Sequence, residues 1–91
     1  MISNQLHDSI RNIILVDWDP IGVRDVAQAR DEYDGYLDSI AKLILARKSS
    51  SELAQHLFSI ETKSMGLPGD RVKAIAAAEK LQRLGLADHR R

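Results

Sequence analysis

The sequence predicts an all-α protein, and three observations carry that reading. Apolar residues recur three and four apart through most of the chain, with no stretch of strict alternation. Stop signals divide the chain at "DWDPIGV", "KSSSE" and "MGLPGD". Apolar residues make up 44% of the 91 residues but aromatics only 4%, so the core must be built from Leu, Ile, Val and Ala. A chain of this length holds one thin core. The expected architecture is a compact four-helix bundle with one long connection between helices 1 and 2. Residues 1–91 are expected to form a single domain with a basic tail from about residue 86.

The first helix should cover residues 3–17, with Leu6, Ile10, Ile13 and Ile14 on one stripe and Ser3 or Asn4 as its cap. Pro20 has no N–H to donate and is expected to hold Asp19 in extended geometry; Gly22 adds a second break. The helix should therefore end close to Trp18, whose ring anchors the chain end on the core while Pro20 turns it away. Residues 20–31 have weak periodicity and read as a loop, and long loops are often functional. The second helix should span residues 31–48, weakened at Gly35, with Tyr33, Tyr36, Leu37, Ile40, Leu43 and Ile44 in one stripe. Its acids stand at the front and Lys42, Arg47 and Lys48 at the back, as the helix dipole favours.

Ser49 and Glu52 form the S-x-x-E pattern of a capping box. Behind it Leu53, Leu57 and Ile60, with Ala54 and Phe58, are expected to face inward. Gly66 suits the left-handed residue that closes this third helix, Pro68 blocks re-entry, and Asp70 can cap the next. The fourth helix, residues 71–84, should turn Val72, Ile75, Ala78, Leu81 and Leu84 inward and stop at Gly85. Its alanines at 74 and 76–78 permit close helix–helix approach.

Several function classes find no support in these residues. With no cysteine, the chain has no disulfide, thiolate metal site or cysteine nucleophile. The start "MISNQLHDSI" lacks the features of a signal peptide, and the apolar runs "IILV" and "AIAAA" are too short to span a bilayer, so a soluble, cytoplasmic protein is expected. His7, His56 and His89 have no zinc-ligand spacing, and the acids match no EF-hand loop, so no metal or other cofactor is expected. No nucleophile elbow or phosphate-binding glycine loop appears, and no catalytic residue is assigned. Helix 4 carries Arg71, Lys73, Lys80 and Arg83, but Glu79 and the alanines argue for a solvated basic face rather than a helix that reads DNA.

The zero net charge hides a separation. Residues 17–38 hold seven acids, Asp17, Asp19, Asp25, Asp31, Glu32, Asp34 and Asp38, against two bases, Arg24 and Arg30. From residue 39 onward ten bases face five acids. Such separation creates a local field that the total conceals.

The combination "WDPIGV", "DEYDGY" and "ETKSMGLPGD" resembles a family of small bacterial helical proteins. Its members share a W-D-P-I-G stretch, a D-E-Y-D stretch and an M-G-L-x-G-D turn in that order, and the resemblance covers about residues 10–84. Some similar small proteins accompany toxins as immunity proteins, including those of contact-dependent growth inhibition systems. The resemblance implies no enzymatic activity and no catalytic residues. It implies a protein toxin as partner, with a nuclease domain expected, and the chain acting as a monomer in that complex rather than on nucleic acid or membrane. A basic phosphate-binding cleft can be blocked by carboxylates, and charge complementarity speeds capture. The expected contact residues are the seven acids of residues 17–38 together with Tyr33 or Tyr36 as an anchor. Helix capping and loop solvation are the competing structural use of these acids, and a small helical adaptor is the alternative function.

Overall fold

The computed structural model describes residues 4–22, 26 and 32–88. Among them there is no strand, and the chain is all-α. Helix α1 is Asn4–Ile13 and runs directly into a π-helical turn, Ile14–Trp18. A 3-10 turn, Asp34–Tyr36, leads into α2, Leu37–Leu45. Helix α3, Ser50–Ser59, is extended by a second π-helical turn, Ile60–Ser64, and α4 is Arg71–Asp88. The four helices share one core, in which α3 and α4 pack most extensively and α4 also covers the first π turn.

The helix ends show why these boundaries fall where they do. Ser49 accepts the Glu52 N–H through its hydroxyl while the Glu52 side chain accepts the Ser49 N–H, so the expected capping box is formed. Asp70 caps α4 by accepting the Lys73 N–H at 3.1 Å. Helix α2 stops three residues before the expected Lys48 because Arg47 takes the left-handed conformation, with φ 60°. The Lys48 N–H then reaches the Leu43 carbonyl at 3.1 Å and the Arg47 N–H reaches Ile44 at 3.0 Å. This is a Schellman closure with arginine where glycine is favoured.

Both π turns change which residues face inward. An i→i−5 bond runs from the Asp19 N–H to the Ile14 carbonyl, and another from Met65 to Ile60. The extra residue in each turn lets two sequence neighbours enter the core: Ile14 with Leu15, and Ile60 with Glu61. Asp19 is not extended as the following proline suggested. It is left-handed, with φ 33°, and its carbonyl accepts the Gly22 N–H to close a tight turn through Pro20 and Ile21.

Helix α4 differs most from expectation. Its inward residues are Ala74, Ala77, Ala78 and Leu81, whereas Val72 is 77% exposed and Ile75 49% exposed. The small face wins because it lets the helix axis approach its neighbours closely, which gains contacts along the whole helix. Gly85 is no stop: it is buried within α4, where a Cβ would stand 2.8 Å from Ile44 Cγ2 and 3.0 Å from the Ile44 carbonyl oxygen. Ala54 packs against the core as expected, while Phe58 sits half-buried at its edge. No helix of the described residues is long and apolar enough to cross a membrane. The expected Ser3 cap and the end of the basic tail, residues 89–91, lie outside the described residues.

Candidate functional site: a motif hub and an acidic ridge

The three sequence motifs meet in one buried cluster. Trp18, from "WDPIGV", closes the first π turn and is 1% exposed. Its indole N–H donates to Glu61 Oε1, and Glu61, from "ETKSMGLPGD", is itself 2% exposed. The other carboxylate oxygen accepts the backbone N–H of Asp70 at 2.9 Å. Tyr33, from "DEYDGY", lies against Trp18 with ring centroids 5.5 Å apart and planes tilted by 42°. Its hydroxyl donates to Asp19 Oδ1 at 2.8 Å and accepts the Ile21 N–H at 3.1 Å. Burial above all raises the Tyr33 pKa, because the phenolate would lose its hydration there. This network ties the end of helix 1, the start of helix 2 and the turn before α4 to one ring. It is a structural joint, and it gives "DWDPIGV" a fold-making role.

That joint settles the position of two expected contact residues. Tyr33 is 0% exposed, so it is not available as an anchor for a partner and is corrected to a core residue. Asp19 holds the Tyr33 hydroxyl inside the joint. Tyr36 is half-buried at the start of α2 and still reaches the surface. Glu61 was not expected at all in this role. The sequence holds only half of the signal: position 61 continues the stripe of Leu53 and Leu57 at a spacing of four, but a carboxylate there reads as a helix edge.

The remaining described acids separate into two places. Asp17 pairs with Lys80 of α4 at 3.0 Å. Asp34 and Asp38 stand one helical turn apart and face α1, where His7 and Arg11 are also one turn apart. Arg11 makes a fork to Asp34, with Nε donating at 2.8 Å and Nη2 at 3.0 Å, and its Nη1 donates to Asp8 at 2.7 Å. His7 Nε2 lies 3.0 Å from Asp38 Oδ1 but is not aligned for a hydrogen bond, and the contact is a charge pair only when the ring is protonated. These rungs join α1 to α2. The carboxylates nonetheless keep much of their surface: the side chains of Asp8, Asp34 and Asp38 are 69%, 39% and 73% exposed. Glu32 is exposed two residues ahead of Asp34. The edge is thus a ridge on which Asp8, Asp34 and Asp38 flank one permanent cation, Arg11, and the ring of His7, with Glu32 exposed near its end. Asp8 was missed in the sequence because it stands outside the acid-rich segment. Asp25 and Asp31 lie outside the described residues.

Among the described residues, Ser39 and His56 form the one contact that resembles nucleophile chemistry, with Ser39 Oγ 3.0 Å from His56 Nε2. The hydroxyl also reaches the Tyr36 carbonyl at 3.0 Å, and it has a single proton to give. Among the described residues no carboxylate orients the other ring nitrogen of His56, as a catalytic base requires. Burial lowers the His56 pKa. The pair therefore reads as a link between α2 and α3. Among the described residues, no three His, Asp or Glu side chains are grouped to hold a metal ion.

No family model, curated protein or solved structure matches the chain, so the family resemblance rests on the three motifs themselves.

Proposed function

We propose that this chain is an immunity-type protein that binds a toxin, a nuclease domain, and neutralises it by covering the toxin's basic active-site surface. The observation that supports this reading is the α1–α2 ridge, where Asp8 and Asp34 pair with Arg11, Asp38 stands against His7, and Glu32 is exposed two residues ahead of Asp34. Carboxylates fixed in a row offer a phosphate-binding cleft the charge pattern it is built to accept, and their field steers a basic partner toward them. The ion pairs within the ridge hold the carboxylates in position, which lowers the entropy lost when a partner docks. Tyr36, half-buried beside the ridge, supplies an aromatic contact. In this reading the protein works in the cytoplasm, as a compact helical bundle, and as a monomer bound to its toxin.

The test is genetic. The gene immediately upstream is expected to encode a toxin domain whose expression arrests growth, and co-expression of this chain should restore growth. A variant with Asp8→Asn, Asp34→Asn and Asp38→Asn removes the charges but leaves each rung an amide oxygen that can accept; it should restore growth poorly, with its fold checked by circular dichroism. A harmless upstream product, or arrest that this chain does not relieve, would contradict the proposal.

A further inference from the structure

A second surface lies between α3 and the start of α4, and its chemistry is the opposite of the ridge. Two cavities of about 300 and 320 Å³ adjoin there and share Gln55 and Arg71, which makes them one groove. Ala54 and Ile75 line one end, and Phe58 and Lys63 the other. The groove exists because α4 packs by its alanine face, which leaves Ile75 and Val72 turned outward. Among the described residues, no Asp or Glu lines either cavity.

Neither Lys63 nor Arg71 forms an ion pair among the described residues, which is equally true of Lys42, Arg47, Lys73 and Arg83; what distinguishes the groove is that one of its cations is held on an aromatic ring. The Arg71 guanidinium lies 4.1 Å from the centroid of the Phe58 ring. Stacking covers one face of that planar group and fixes its direction, and its N–H edge remains able to take a carboxylate through two parallel bonds. An ordered, unpaired arginine beside exposed aliphatic side chains is complementary to a carboxylate flanked by aliphatic groups.

We propose that the α3–α4 groove docks a segment of a partner protein carrying Glu or Asp next to Leu, Ile or Val. The carboxylate meets Arg71, with Lys63 adding positive charge, and the aliphatic side chain covers Ile75 and Ala54. Two cations over an apolar floor suit one or two carboxylates better than the phosphate row of a nucleic acid, whose binding grows with the number of phosphates neutralised. This surface is separate from the ridge and does not depend on the toxin reading.

The test is a titration of the ¹⁵N-labelled full chain, followed by NMR, with a capped peptide of alternating Leu-Leu and Glu-Glu pairs. Amide shifts should concentrate at Gln55, Phe58, Arg71 and Ile75. Arg71→Glu and, separately, Lys63→Glu should each weaken binding by about tenfold, as loss of a charge-assisted contact predicts. The second variant leaves the Arg71–Phe58 stack in place, so its effect is not a folding defect. The ridge variant with Asn at positions 8, 34 and 38 should bind the peptide unchanged. Absence of shifts at millimolar peptide would overturn the proposal, as would equal binding of a Leu-Lys peptide, tighter binding of a single-stranded oligonucleotide, or groove-face shifts that track protein concentration alone.

Discussion

Glu61 is the residue on which the helix ends depend. A carboxylate that is 2% exposed holds two N–H donors, one from the Trp18 indole and one from the Asp70 backbone, and no cation among the described residues pairs with it. Leucine at 61 would leave the buried Trp18 indole N–H without an acceptor, at about 1–3 kcal/mol, and would take the acceptor from the part-buried Asp70 N–H as well. Glu61→Leu is therefore expected to destabilise the protein more than Glu61→Gln, which keeps one acceptor oxygen; urea unfolding of the two variants gives the order directly. Trp18→Ala should cost about 3–5 kcal/mol in the same measurement, since the ring fills the core. His56 makes stability depend on pH with a definite sign. Its folded-state pKa lies below the ordinary value of 6.5 because burial disfavours the imidazolium. Its contribution is complete above 6.5 and is lost as pH falls toward the folded value, because the unfolded chain takes up the proton first. The native protein should lose stability as pH falls below 6.5, and His56→Gln should reduce that loss. At this scale the sequence showed Trp18 as an anchor. It did not show Glu61, because a carboxylate on an apolar stripe reads as a helix edge until its two donors are known, and one of them comes from 43 residues away.

The α-helices and most of their boundaries were legible because capping is local. The Ser49–Glu52 box, the left-handed Gly66 and the Asp70 cap all depend on a few neighbouring residues, and all three are present. What the sequence did not reveal were the faces of α4 and the two π turns. The apolar residues of α4 run right round the helix, so periodicity could not choose between Val72 and Ile75 on one side and Ala74, Ala77 and Ala78 on another. The choice follows from the close approach of Gly85 to Ile44, a tertiary fact. Gly85→Ala tests it. Alanine gains about 1 kcal/mol of helix propensity, but the Cβ meets a backbone carbonyl, and overpacking of this kind costs about 1–3 kcal/mol. The variant should be destabilised or at best neutral, whereas a solvent-facing glycine would show the full gain. Arg47→Gly should have the opposite effect, stabilising by about 1 kcal/mol, because the left-handed closure of α2 strains any residue with a Cβ. Thermal unfolding of both variants measures the two effects.

Across the whole molecule, charge separation along the sequence becomes separation in space, though less simply than a single acidic face. The segment 17–38 contributes Asp17 to a bond with α4, Asp19 to the buried joint, and Asp34 and Asp38 to the α1–α2 ridge. Charge counting could show the excess of acids, but the partners that consume some of them come from α1 and α4 and are visible only in the fold. What remains exposed on the ridge, joined by Asp8, is the surface proposed above to meet a basic partner. Capture of the native partner tests this assignment most directly. The tagged chain and its Asp8→Asn, Asp34→Asn, Asp38→Asn variant are used to retain proteins from the native host lysate at low and at physiological salt, and mass spectrometry identifies what is bound. The account predicts a stoichiometric basic nuclease domain, held less tightly as salt rises and largely lost with the variant. A non-toxin partner, or a toxin retained equally by the variant at both salt concentrations, would contradict it.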